Sequence, residues 1–398
     1  MRHPVVEHPR PGAGRRRILN TDEHGPDVNQ AGELRSARVE SLRAIAALAV
    51  LEGHVYGVSV GFGATAYRTW LHRALLGGGF GVYLFFSLSG YLLFLPFARR
   101  SFGAGRSVDL ARYARNRALR ILPLYYAVAL TYLLVLRAPG IDWAAYLLFG
   151  ENFSRRTVAQ VDGPMWSLVV EVMFYVLLPF LAFVLARVSR RSVPAAAGWL
   201  VALAVAAGAY RWVAYLHAPH PGPLVQYNLP ANFFFFLPGM LLALAKVASE
   251  SRGPDPAPAP KPIPALLRDS RLWVAASAAL WAMVFYRYQW DLLAGVASFL
   301  LLGACVLPLR PSAAVRMLGW RPLALLGTAS YSLYLWHLPI VTHLGPEPLG
   351  GYVGHLLVDA AVCMTVALAS YAVIEAPFLR WRKRWGDTAS GSTPVAVP

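Results

Sequence analysis

The sequence predicts an all-α fold, a polytopic membrane bundle of about ten transmembrane helices, on three observations. Of 398 residues, 57% are hydrophobic. Only 14% carry a formal charge, against about 25% in an ordinary soluble domain. The charges are also clustered, so long apolar stretches alternate with short basic ones. A soluble chain of this length needs more charge to solvate its surface. In hydrocarbon, an α-helix satisfies its own backbone N–H and C=O groups, which makes it the natural spanning element here.

Residues 1–38 read as a basic, disordered cytoplasmic tail. They are polar, rich in Arg, Pro and Gly, and lack the apolar core of a signal peptide. Apolar runs follow at 42–60, 80–98, 120–137, 164–186, 194–211, 229–246, 272–287, 291–309, 322–342 and 354–378. Most approach the ~20 residues needed to cross the hydrocarbon. The fifth and seventh are the least sharply bounded. Residues 143–150 (WAAYLLFG) are too short to span and read as a re-entrant or interfacial piece. Residues 251–264 (SRGPDPAPAPKPIP) form a Pro/Ala linker. The membrane domain is expected over 39–385, with 386–398 a disordered C-terminal tail.

The net charge of +17 has a membrane explanation, because cytoplasmic loops collect Lys and Arg. With the N-terminus inside, 29 basic residues fall on inner segments and seven on outer ones. That split predicts a multi-pass cell-membrane protein with both termini cytoplasmic, and hence an even number of crossings. Basic residues interleave little with aromatic ones, which speaks against nucleic-acid binding. Cys305 and Cys363 lie in separate apolar runs and form no CxxC pair, so no metal or redox framework is readable.

Ionisable groups inside a span are costly unless paired or solvated, so they mark candidate chemistry. In the first span, Arg43 and His54 are 11 residues apart. At 100° per residue they share one face, separated by about 16 Å along the axis. A neutral imidazole can accept a proton from a hydroxyl as general base. Arg43 could hold an anion at the mouth, or the pair could be a snorkelling Arg and a packed His. Glu52 projects to a different side. In the second span, Ser87, Ser89 and Gly90 form a small polar patch, suited to close helix packing or to lining a narrow channel. Arg112, Arg115, Arg117 and Arg120 cluster at the inner end of the third span. They could clamp a phosphorylated cosubstrate or simply anchor the helix. Glu171 lies about 10 Å into the fourth span, too deep for a casual surface ion. Tyr331, Tyr334 and His337 form a polar stripe at helical spacing, which either lines a tunnel or knits the bundle. Glu375 precedes Pro377 and a basic anchor.

The ordered series SLRAIAALAVLEGH, GVYLFFSLSGYLL, RNRALRILPLYY, GPMWSLVVEVMFY, SYSLYLWHLPI and IEAPF resembles the membrane-bound acyltransferase-3 family over roughly 38–384. The likeness is to its stand-alone O-acyltransferases of macrolides and cell-surface sugars. It implies transfer of an acyl group from cytosolic acyl-CoA to a hydroxyl of a sugar, glycan or macrolide-type metabolite. It also implies that the R-x10-H pair maps onto Arg43 and His54, the arginine segment onto Arg117 and Arg120, and the WSLxxE glutamate onto Glu171. Glu52 departs from the family pattern, which usually shows an apolar or aromatic residue there. On this reading His54, Arg43 and Glu171 are the expected catalytic residues. Arg112, Arg115, Arg117 and Arg120 are expected to hold acyl-CoA, and Ser87, Tyr331, Tyr334 and His337 to line the substrate site. No metal and no tightly bound cofactor is expected; acyl-CoA enters as cosubstrate. A transporter or flippase for a glycan or small metabolite is the main rival, since buried charges in a multi-helix bundle suit one as well.

Overall fold

The computed structural model describes residues 28–61, 69–158, 162–217, 222–250, 268–307, 309–345 and 351–387. Residues 1–27, the expected Pro/Ala linker at 251–264 and residues 388–398 lie outside them. The described chain is helical, in the order α1 (Val28–Val60), α2 (Trp70–Leu76), α3 (Gly81–Phe102), α4 (Leu110–Val135), α5 (Gly140–Leu147), α6 (Trp166–Val188), α7 (Val193–His217), α8 (Pro223–Gln226), α9 (Leu229–Asn232), α10 (Leu237–Glu250), α11 (Ser270–Tyr286), α12 (Leu292–Val306), α13 (Ala313–Met317), α14 (Arg321–Thr328), α15 (Ser330–Leu344), α16 (Gly351–Ser370) and α17 (Ala376–Asp387). A π-helical turn, Tyr371–Glu375, joins α16 to α17. The first helix begins at Val28, so it takes in residues 28–38 of the expected tail.

Seven helices among the described residues are long and apolar enough to cross a membrane: Ser36–Val60, Trp70–Phe102, Leu110–Val135, Gly163–Val188, Val193–Leu216, Leu229–Glu250 and Gly351–Arg382. This corrects the ten expected from the sequence. The runs at 272–287 and 291–309 become α11 and α12, of 17 and 15 residues. At 1.5 Å per residue these cover roughly 25 and 22 Å, less than the ~30 Å of hydrocarbon. The run at 322–342 is split at Ala329 into α14, of 8 residues, and α15, of 15. Hydropathy registers apolar composition but not where a helix stops. Residues 140–147 form the eight-residue α5, whose Tyr146 carbonyl accepts from the phenol of Tyr125 in α4 at 2.8 Å.

The bundle packs through small residues. A Cβ on Gly90 of α3 would sit 2.1 Å from the Phe236 carbonyl, and one on Gly239 of α10 would sit 1.9 Å from the Ser87 carbonyl. These glycines therefore set how closely α3 and α10 approach, the small-residue packing typical of membrane helices. Ser87 Oγ donates to the Phe235 carbonyl at 2.8 Å in the same seam. Phe236 stacks with Phe86 and Phe174 at centroid distances of 4.7 and 4.0 Å. On the outward faces, Val176, Phe180, Val205 and Val373 are each exposed, as helices solvated by lipid require. Buried polar ties replace hydrophobic drive between helices. Arg120 of α4 reaches Glu375 at 2.7 Å, and Ser332 of α15 donates to the same carboxylate.

Candidate functional site

Helix α1 carries Arg43 and His54 along one side of a line of cavities. Three cavities adjoin. The first, about 960 Å³, is lined by Arg43, Glu40, Arg117, Arg120, Arg380 and Arg382 among others. The second, about 50 Å³, is lined by Arg43, Ser89, Ser167, Glu171, Ser330, Tyr331 and Tyr334 together with apolar side chains. The third, about 270 Å³, holds His54, Gly163, Trp166, Gln226, Tyr227 and Tyr334. Arg43 lines the first two, and Tyr334 and Val82 line the second and third. The middle cavity has room for water or a slender chain, not a sugar ring.

His337 comes to His54 from α15, 283 residues away. His337 Nε2 lies 3.3 Å from His54 Nδ1, and the rings meet edge to face with centroids 5.0 Å apart. Each ring is also anchored to its own helix backbone. His54 Nδ1 is 2.8 Å from the Val50 carbonyl, and His337 Nδ1 is 2.7 Å from the Tyr334 carbonyl. A carbonyl only accepts, so in the neutral rings both Nδ1 atoms carry the hydrogen. The hydrogen-bond network thus assigns the tautomers: His337 Nε2 is an acceptor facing the His54 Nδ1–H. His54 Nε2 is left as the basic nitrogen of the pair. His337 is buried, while His54 is half-buried and lines the third cavity.

Arg43 is held by one partner from the first cavity and one from the middle cavity. Its Nε donates to Ser330 Oγ at 3.3 Å and lies 3.5 Å from Glu40 Oε2. Glu171 accepts a hydrogen bond from Ser89 Oγ and lines the same small cavity as Arg43. Tyr334 shares a hydrogen bond of 2.8 Å with Ser167 Oγ. Tyr331 donates to the Ile121 carbonyl at 3.0 Å, and the Arg120 guanidinium stands 5.7 Å from its ring centre.

The expected site residues therefore divide. Arg43, Glu171, Tyr331 and Tyr334 share the middle cavity, and His54 and His337 pair at its far end. Ser87 is not with them; it bridges α3 to the Phe235 backbone, and its neighbour Ser89 occupies the site instead. Arg117 and Arg120 line the first cavity, with Arg120 tied to Glu375. Arg112 lines a neighbouring cavity of about 390 Å³ with Arg99, Arg106 and Arg117. Arg115 lines neither of these two. Sequence reading did not select Ser330, Gln226, Tyr227, Arg380 or Arg382. The basic run after IEAPF was a usable signal for the last two. Nothing local marks Gln226, which reaches the site only through the tertiary fold.

These features define a class, a multi-pass membrane protein in which a histidine pair is joined by cavities to an arginine-rich face. The chain belongs to the acyltransferase-3 family: its residues 36–372 match the family described as an acyltransferase domain. YrhL of Bacillus subtilis (strain 168) is 27% identical over 372 residues, which is 85% of this chain and 54% of YrhL. The peptidoglycan O-acetyltransferase OatA of Listeria monocytogenes serovar 1/2a is 25% identical over 373 residues, 85% of this chain and 55% of OatA. The O-acetyltransferase OatA of Staphylococcus aureus is 24% identical over 335 residues, 77% of this chain and 54% of that protein. The chain thus spans about half the length of the curated relatives it matches. No solved structure matches it.

Proposed function

We propose that the chain is a membrane O-acyltransferase that moves an acyl group from acyl-CoA to a hydroxyl of a glycan or sugar-type acceptor. The observation that carries this reading is the tautomer-fixed His54–His337 pair at one end of a cavity line that begins among arginines. The phosphates of the donor would rest against Arg117, Arg380 and Arg382, since guanidinium forks match phosphate oxygens. The pantetheine arm would run past Arg43 into the narrow middle cavity. The acceptor hydroxyl would enter beside His54. As its oxygen attacks the thioester carbonyl, His54 Nε2 takes the proton. The C–S bond then breaks, the acyl group stays on the acceptor oxygen, and CoA leaves as the thiol once its sulfur is protonated. His337 is a positioning residue in this scheme, accepting from the His54 Nδ1–H. All three relatives are named for O-acetylation, two of them of peptidoglycan, which favours an acetyl donor and a glycan acceptor.

The test is turnover per folded, donor-binding molecule. His54→Ala should retain acyl-CoA binding and lose roughly 10²–10⁴-fold in transfer, the contribution of a positioned proton acceptor. Near-normal turnover would remove His54 from the chemistry. A transport role would instead show acceptor movement across proteoliposomes with no acceptor-dependent release of CoA thiol.

A further inference from the structure

The cavity that holds His54 has no Asp, Glu, Lys or Arg among the described residues that line it. Its walls are aromatic instead: Trp166, Tyr227, Phe80 and Tyr83 line it, with Gln226 beside them. Tyr83 is already stacked, with Phe80 at 5.5 Å and with Phe235 at 3.7 Å. Trp166 and Tyr227 are arranged differently. Their centroids lie 4.9 Å apart with the planes tilted by 35°, so the pair opens as a wedge rather than closing as a stack. Both rings are half-buried, as His54 is.

Trp166 opens α6, and Tyr227 lies in the turn between α8 and α9. One side chain joins these distant segments. Asn152, in the short 3-10 turn Glu151–Phe153, is fully buried. Its amide nitrogen donates to the Trp166 carbonyl at 2.8 Å and to the Tyr227 carbonyl at 2.6 Å. Carbonyls only accept, so both amide hydrogens of Asn152 are engaged in this bridge. The turn is itself fixed, because Thr157 Oγ1 donates to the Glu151 carbonyl at 2.9 Å.

An aromatic face carries partial negative charge, and the C–H bonds on the face of a pyranose carry partial positive charge. A sugar ring therefore lies flat on such a surface, with its hydroxyls at the rim. Here the rim offers Gln226, the Tyr227 phenol and His54. A charged acceptor finds no counter-ion on these walls, and a bare alkyl chain leaves their polar edges without a partner. At about 270 Å³ the cavity falls just below the ~300–1,000 Å³ of drug-sized sites, which suits one ring. It meets a larger cavity, about 920 Å³, at Phe80, Tyr83 and Gln226, so further units of a glycan have room beyond that ring.

We infer that Trp166 and Tyr227 form the platform on which one pyranose ring of the acceptor lies by its C–H face, and that Asn152 is the positioning residue that holds the two aromatics together. The inference rests on the acyl-transfer reading for the fate of the ring's hydroxyl, but the stacking it requires does not.

The experiment uses the full chain in phosphatidylcholine nanodiscs, without donor, and empty discs give the background. Methyl β-glucopyranoside is the probe, and sorbitol, a polyol without a ring, is the control. Saturation-transfer NMR irradiates the aromatic protons of the protein, which the lipid lacks. Transfer should fall on one face of the glucoside, the protons of carbons 1, 3 and 5 or those of carbons 2 and 4, and sorbitol should receive little. Tyr227→Phe keeps the ring and should keep the pattern. Tyr227→Leu should erase it and weaken glucoside binding roughly tenfold, the upper end for one aromatic contact. Asn152→Ala should raise the acceptor KM in acetyl transfer by a similar factor, with kcat and the KM for acetyl-CoA held. An asparagine that only supports the fold would lower the folded yield and leave the acceptor KM of the surviving molecules unchanged, which removes its positioning role. Equal transfer to both faces, or glucoside binding unchanged in Tyr227→Leu, overturns the platform. One-faced binding with no acetyl transfer from acetyl-CoA keeps the platform and overturns the reaction. Acetyl transfer to glucoside and sorbitol alike does the reverse.

Discussion

At the scale of single residues, the histidine pair is unusual in what orients it. Among the described residues no carboxylate orients either ring; each is held by a backbone carbonyl of its own helix and by the other imidazole. If His337 positions His54, a partner able only to accept should suffice. His337→Gln supplies an amide oxygen and should retain most transfer, whereas His337→Leu should lower kcat roughly tenfold, the contribution of one hydrogen bond with little change in KM. The nitrogen-15 shifts of His54 separate this from mere packing: they should report a less uniform tautomer in His337→Leu and not in His337→Gln. Unchanged shifts and kcat in His337→Leu would remove the positioning role. The Arg43–His54 relation was legible from sequence because 11 residues close three helical turns. The His54–His337 contact was not, because 283 residues of chain separate its members and only the tertiary fold brings α15 to α1.

At the scale of elements, the connection between α5 and α6 is held by buried acids. Burial pushes the Glu151 carboxyl up to about 8. Asp162 is raised as well, by burial first and then by the Glu151 charge. Glu151 accepts from Tyr125 at 3.1 Å, while Tyr125 also binds the Tyr146 carbonyl at 2.8 Å. A carboxyl whose folded value lies above its ordinary value binds more protons in the native state. Its stabilisation is full below the ordinary range and is lost as pH rises through about 8. Melting temperature in detergent should therefore fall between pH 5 and pH 8.5. Glu151→Gln keeps an acceptor for Tyr125 without the charge and should flatten that fall; an identical slope in the variant would assign the pH dependence elsewhere. The same scale shows what hydropathy misses. The run at 322–342 is apolar enough on average to read as one span, yet α14 ends at Thr328, beside Gly327, where a Cβ would sit 1.9 Å from the Glu40 carbonyl. The close approach to α1 is a constraint that hydropathy does not register.

At the scale of the whole molecule, the cavities run from the arginine cluster past Arg43 to His54, so the proposed reaction would bring its two substrates together along one line. If the basic-residue distribution sets the orientation, as the sequence predicts, the arginine end faces the cytosol. Reporter fusions after Gly61 and after Glu250 should then lie on opposite sides of the membrane, the first outside and the second inside. The same side for both would break this orientation. Membrane class and family motifs were readable from composition and order. The number of full-length spans was not, because α11, α12 and α15 are apolar but, at 17, 15 and 15 residues, too short.

The π-helical turn has a consequence for chain length. The buried stripe of the last long helix runs through His355, Asp359, Cys363, Ala367 and Ser370 at steps of three and four, then resumes at Glu375 after a step of five. That stretch therefore holds one residue more than an uninterrupted α-helix needs to bring Glu375 to Arg120. Losing a residue between Ser370 and Glu375 would straighten the turn and leave the ion pair facing inward. Losing one within α16 would instead rotate the glutamate by about 100°. Homologous chains can differ in length by one residue at this turn and still align their carboxylate with the same arginine.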